Sequence, residues 1–179
     1  VGSRVAERHE IAERYRWNAE SVYASNTAWE TDFEALTAEL AELEAYRGTL
    51  DEGPEHLAAW LEHLQSYQTR FWKLYVYANM RYSCNTLDEQ AAAQRQRAAG
   101  LLARFAAATA FAEPELASVG FDKLRAWVEA HEALGVYAHY FDKLELKAEH
   151  LRSSEVEELL GALQDPFGAA TQIHGVLAN

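Results

Sequence analysis

Two His-Glu pairs are the residues best suited by type to metal-assisted water chemistry: His9-Glu10 and His131-Glu132. In a zinc-binding helix of this kind, a second His stands four residues after the first. Both imidazoles then leave one helical face toward one ion, and the Glu between them serves as general base. Here those positions hold Glu13 and Gly135. Neither pair can chelate an ion from its own helix.

The other chemistries fare no better. Helical di-metal proteins use Glu-x-x-His motifs, which place carboxylate and imidazole on one face. None of the seven histidines has Glu three residues before it. His56 and His63 are seven apart, so two helical turns separate them by about 10 Å; His131 and His139 are further apart still. A metal site assembled from separate helices is the alternative. Cys84, the single cysteine, has no His or Cys close in sequence, and a reactive thiolate depends on its surroundings rather than its type. The glycines are isolated, so no phosphate loop is present, and no Gly-x-Ser-x-Gly elbow occurs. The expectation is therefore no catalytic residue and no metal ligand in this chain, with no cofactor of its own; the residues assign no substrate contact. Tyr67, Tyr75, Tyr77 and Tyr82, with Phe71 and Trp72, place aromatics on more than one face of one helix. They read either as core or as a surface covering a second domain or a peptide channel.

These side chains need helices to position them, and the pattern supplies helices throughout. Ser25, Asn26 and Thr27 are all capable N-caps, and Thr27 with Glu30 spells a capping box. Trp29, Phe33, Leu36, Leu40 and Leu43 then form one apolar stripe. The opposite face carries Glu30, Asp32, Glu34, Glu39, Glu42 and Glu44; it reads as a solvated face, with cation binding as the alternative. Gly48 is a C-terminal stop. Pro54 suits the first turn of a second helix. Its stripe, from Leu57 and Trp60 to Ala78 and Tyr82, predicts a helix over 54–83, about 40 Å long. Asn85 and Thr86 break it, and Thr86 with Glu89 spells a second capping box. An alanine-rich helix follows over 87–112 with Leu101, Phe105, Ala108 and Phe111 on one stripe. Pro114 is expected to disturb or end it. A shorter helix carries Leu124, Trp127 and Val128; another runs from about Leu134 to His150. Ser154 and Glu157 give a third capping box before Leu159, Leu160 and Leu163, and a last short helix covers 169–177. Period-two alternation is absent. The predicted fold is all-α, an elongated domain of about six helices with a long antiparallel hairpin.

Composition agrees with one helical domain. The chain has 179 residues, 49% hydrophobic, with only three prolines and nine glycines. A formal charge of −12 argues against nucleic acid or an anionic membrane as partner. Arg95, Arg97 and Arg104 read as solvated helix positions or a local basic patch. No apolar run reaches the ~20 residues of a membrane span, and Val1 to Ile11 lacks the apolar core of a signal peptide. One cysteine cannot form an intrachain disulfide, which fits a reducing, cytoplasmic compartment. Met80 is the only methionine, so Val1 is not expected to be a translation start.

Several segments, in order, resemble the N-terminal helical domain of the oligoendopeptidase F family of M3-type zinc oligopeptidases. They are Trp17-Asn18, Ser21-Val22-Tyr23 and Ala28-Trp29-Glu30; Tyr46-Arg47-Gly48-Thr49-Leu50; Leu74-Tyr75-Val76-Tyr77-Ala78 with Arg81-Tyr82; Phe111-Ala112-Glu113-Pro114-Glu115-Leu116; and Ser154-Glu155-Val156-Glu157-Glu158-Leu159-Leu160. The resemblance covers about Arg14 to Asn179. Ala24, Asn18 and Ser83-Cys84-Asn85 depart from the family's usual residues. The resemblance implies a zinc-binding catalytic domain after residue 179, carrying His-Glu-x-x-His, and assigns no catalytic residue here. The chain's own pattern predicts a helical domain over 25–179, with 1–24 an irregular segment packed on it; the resemblance implies that this domain covers the peptidase channel and limits substrates to short oligopeptides. The implied partners are that catalytic domain and the oligopeptide; the uncovered surface near Ile173, Val176 and Leu177 is expected to self-associate. The competing reading is a stand-alone helical interaction module without activity.

Overall fold

The structure is a computed structural model; it describes residues 6, 10–148, 156, 159, 160 and 163. Every regular element among the described residues is helical. Between residues 10 and 148 the α-helices are α1 (Asn26–Glu44), α2 (Pro54–Cys84), α3 (Glu89–Thr109), α4 (Ala112–Val119), α5 (Phe121–Ala130) and α6 (Ala138–Lys147). The all-α prediction with its long hairpin is correct: α2 and α3 pack against each other, and α1 lies against both.

The stripes predicted for these helices face inward. Trp29, Leu36, Leu40 and Leu43 of α1 are buried with Tyr67, Phe71 and Leu74 of α2 and Leu101 of α3. Phe33 stacks on Trp29 at 5.3 Å. A second core lies at the other end of α2. There Leu57, Trp60 and Leu61 meet Phe111, Leu116, Leu124, Leu134 and Phe141. α2 is 31 residues long, about 45 Å, so one rigid element serves both cores and fixes the spacing between them.

Helix ends correct the sequence reading in four places. Ser25, not Thr27, caps α1: its Oγ accepts from the Ala28 amide at 3.1 Å. Ser25 is extended while Asn26 is already helical, which leaves Thr27 inside the first turn. Asp88, not Thr86, caps α3 by accepting from the Ala91 amide at 3.0 Å. The third helix ends at Thr109, and Pro114 stands in the first turn of α4, where its missing N–H goes unused. The helix expected from Leu134 starts as a 3₁₀ segment, Glu132–Tyr137, and becomes α6 at Ala138; Gly135 within it weakens α-helix by about 1 kcal/mol. Gly48 and Gly120 turn the chain at φ 81° and 93°, conformations that favour glycine.

Val156, Leu159 and Leu160 are helical. The Ser154–Glu157 capping box, His150 and the terminal helix at 169–177 lie outside the described residues.

Candidate functional site

α1 and α2 are joined by a polar seam along their shared edge. Tyr23 donates to Asp32 Oδ2 at 2.5 Å. Arg70 donates to Asp32 Oδ1 at 3.1 Å and to Glu39 Oε2 at 2.5 Å. Glu39 also meets His63 Nε2 at 3.2 Å. Burial and the Asp32 carboxylate both push the Tyr23 hydroxyl pKa up. For Arg70, burial pulls the pKa down, but the hydrogen bonds to Asp32 and Glu39 outweigh it and hold the guanidinium charged. Farther along, Arg97 of α3 pairs with Glu30 at 2.7 Å and lies 4.2 Å over the Phe33 ring. Much of the acidic face of α1 therefore binds this chain's own arginines.

A cleft of about 700 Å³ opens between α2, α3, α4 and the Glu132–Tyr137 turn. Leu61 and Leu64 form one wall, Leu102 and Phe105 the other, and Tyr137 and Tyr140 close the end. Tyr137 donates to Gln65 Oε1 at 2.8 Å. Burial, then the Glu113 charge, push the Tyr140 pKa up. Trp60 lines the same cleft; its indole N–H is buried without a hydrogen-bond partner among the described residues. This is a mostly apolar cavity with few polar groups, a shape suited to holding a ligand.

The sequence-predicted chemistry is scattered. His131 follows the end of α5, its Nδ1 buried without a partner among the described residues, and Glu132 is exposed. Glu10 is exposed, and His9 lies outside the described residues. His56 meets Thr49 at 2.8 Å while His63 meets Glu39, so the two imidazoles serve different partners. His139 and Cys84 are exposed. Tyr67 and Tyr77 are buried in the core, whereas Trp72 is 49% exposed. The three arginines also separate: Arg97 is paired with Glu30, Arg95 lies 4.6 Å over the Tyr82 ring, and Arg104 borders a shallow hollow beside Thr37.

No three His, Cys, Asp or Glu side chains among the described residues are grouped to hold a metal ion. The zinc ion that the resemblance implies does not fit the donors these described residues offer. No helix among the described residues is long and apolar enough to cross a membrane.

Sequence reasoning missed both the seam and the cleft. The seam had a signal: Asp32 and Glu39 are seven apart on α1, and His63 and Arg70 are seven apart on α2. Residues at that spacing share a helix face. The cleft had none, because its lining comes from separate stretches of the chain, 60–68, 102–113 and 137–140, together with Leu160.

A family model described as Oligopeptidase F matches residues 115–179. Oligopeptidase PepF of Bacillus subtilis (strain 168) is 28% identical over 177 residues, 99% of this chain and 26% of that protein. Group B oligopeptidase PepB of Streptococcus agalactiae is 29% identical, covering 96% of this chain and 29% of that protein. The crystal structure of oligoendopeptidase-F from Enterococcus faecium superposes with a TM-score of 0.79 at 26% identity, over 87% of this chain and 31% of that one. The chain thus spans less than a third of the proteins it matches.

Proposed function

Taking the chain as what these matches support, an N-terminal domain of the oligoendopeptidase F family, we propose that it is the non-catalytic helical part of a zinc metalloendopeptidase. The whole protein hydrolyses short oligopeptides in the cytoplasm. Zinc and the water it activates belong to a catalytic domain beyond residue 179. The helical domain, residues 25–179 with 1–24 packed on it, covers the catalytic channel and excludes folded proteins.

One observation carries the reading. Relatives named as oligopeptidases match this chain almost end to end, yet the match accounts for 26% and 29% of their length. The chemistry those names describe thus has room in the region this chain does not span. The described residues contribute a rigid two-core frame and an apolar cleft instead.

The test is to express the protein whose coding region contains this chain and to follow cleavage of quenched peptides of rising length beside a folded protein. Short peptides are cut, and the folded protein is not. A coding region without a His-Glu-x-x-His segment would sink this reading in favour of a stand-alone interaction module. So would equal cleavage of folded and unfolded chains, as far as channel covering is concerned.

A further inference from the structure

The upper part of α2 buries Tyr67, Phe71, Leu74, Tyr77 and Ala78 against α1 and α3. Its remaining side faces outward. Gln65, Thr69, Trp72, Val76, Met80 and Ser83 follow one another there at steps of four, three, four, four and three, and all six are exposed. Residues at that spacing form one ridge, the kind on which another helix packs. Its centre is apolar: Trp72, Val76 and Met80 are 49%, 48% and 37% exposed.

Three observations set this ridge apart from an ordinary solvated face. First, it carries no charge, although 25% of the chain is charged, and no acidic residue occurs between Glu62 and Asp88. The cations in that stretch are engaged elsewhere: Arg70 with Asp32 and Glu39, Lys73 at 4.5 Å over the Tyr23 ring, and Arg81 with Asp88. Second, its polar side chains are satisfied inside the chain. Thr69 donates to the Gln65 carbonyl, Asn79 to the Tyr75 carbonyl and Ser83 to the Asn79 carbonyl, each at 2.9 Å, while Gln65 Oε1 accepts from Tyr137. Drying the ridge therefore largely avoids the ~1–3 kcal/mol cost of each orphaned polar group. Third, the Trp72 ring is set edge-on to Tyr75 at 5.6 Å, so little side-chain freedom is left to lose when it is covered.

We propose that this ridge is an interdomain surface, covered by an apolar, uncharged helix from the part of the protein that the relatives have and this chain does not span. The size of the ridge selects that occupant over a second copy. From residue 65 to residue 83 it is about 27 Å long and ~10 Å wide, on the order of 300 Å². A stable complex between separate molecules buries about 800 Å² on each partner. A partner on the same chain needs less, because tethering supplies an effective concentration in the millimolar range. This chain spans 26% and 29% of two relatives, which leaves ample chain to supply the helix. The inference rests on the reading of the chain as one domain of a larger peptidase and adds the face by which the domain is held.

Thiol labelling tests it. V76C is made in the 179-residue chain and in the whole protein that contains it, and alkylation at residue 76 is followed by mass spectrometry of the peptide carrying it. The thiol in the whole protein reacts at least about tenfold more slowly than in the chain, because it is reached only when the interface opens. V76E lowers the thermal midpoint of the whole protein and leaves that of the chain nearly unchanged. Equal labelling rates in the two samples overturn the proposal. So does slow labelling of a chain that sediments as a dimer, which assigns the ridge to a second copy. The two readings fail separately. A whole protein that cleaves oligopeptides while residue 76 labels at the rate seen in the chain keeps the peptidase reading and sinks this one. Protection of residue 76 in a whole protein without zinc or turnover does the reverse.

Discussion

Arg70 of α2 and Glu39 of α1 are joined by a hydrogen bond of 2.5 Å from Nη1 to Oε2. The same guanidinium reaches Asp32 one pair of turns away. One planar cation thus bridges two turns of α1 and, with the His63–Glu39 contact and the Trp29 indole bond to the Leu74 carbonyl, helps hold the register of the two helices.

Loss of that bridge destabilises the domain. The side chains are partly exposed, Arg70 by 37% and Glu39 by 16%, so solvent screens the pair. R70L is expected to cost about 1–2 kcal/mol, at the lower end for hydrogen bonds to charged groups. R70K recovers little, because an ammonium cannot form the two-sided fork. Urea unfolding measures both, and an unchanged midpoint for R70L refutes the bridge.

Alkali weakens the fold through its tyrosines. Burial is the first cause that holds Tyr23, Tyr67 and Tyr140 above the ordinary 10.0. The neutral phenol is therefore the folded form. Their contribution is intact below the unfolded pKa of about 10 and is lost as pH rises beyond it, by up to about 1.4 kcal/mol per pH unit for each group. Urea midpoints at about pH 9 and about pH 11 should fall, and less so in Y67F, which removes one titrating group. A midpoint flat across that range contradicts the burial of these hydroxyls.

Cap substitutions separate the structural caps from the residues that merely fit a pattern. S25A and D88A each remove a side-chain acceptor from a helix amide and are expected to cost about 1 kcal/mol. T27A and T86A cost a few tenths at most. Thermal unfolding of the four variants reads the difference directly; a reversed order would move both helix starts.

The stripe of Trp29, Leu36, Leu40 and Leu43 was legible because helical period alone selects the buried face. Pro54 marked the start of α2 for a reason equally local. Helix starts were misplaced where several residues of capping type stood together, since Ser25 and Thr27 differ only in which one the tertiary structure leaves extended. Pro114 was ambiguous because it suits both the stop of one helix and the first turn of the next. The role of Arg70 was hidden for a different reason. A charge on a helix reads as solvated until the facing helix is known, and α1 meets α2 only through a fold that brings residues 32 and 70 together. The cleft below Tyr140 depends on three such meetings at once.

The proposed function makes this chain the non-catalytic helical cover of a zinc peptidase. Zinc content after dialysis, measured beside turnover of a quenched oligopeptide, tests it most directly on two samples: the 179-residue chain and the whole protein that contains it. The account predicts zinc near one equivalent and turnover in the whole protein, with neither in the chain. Stoichiometric zinc with metal-dependent cleavage by the chain alone, or an inert whole protein, would contradict it.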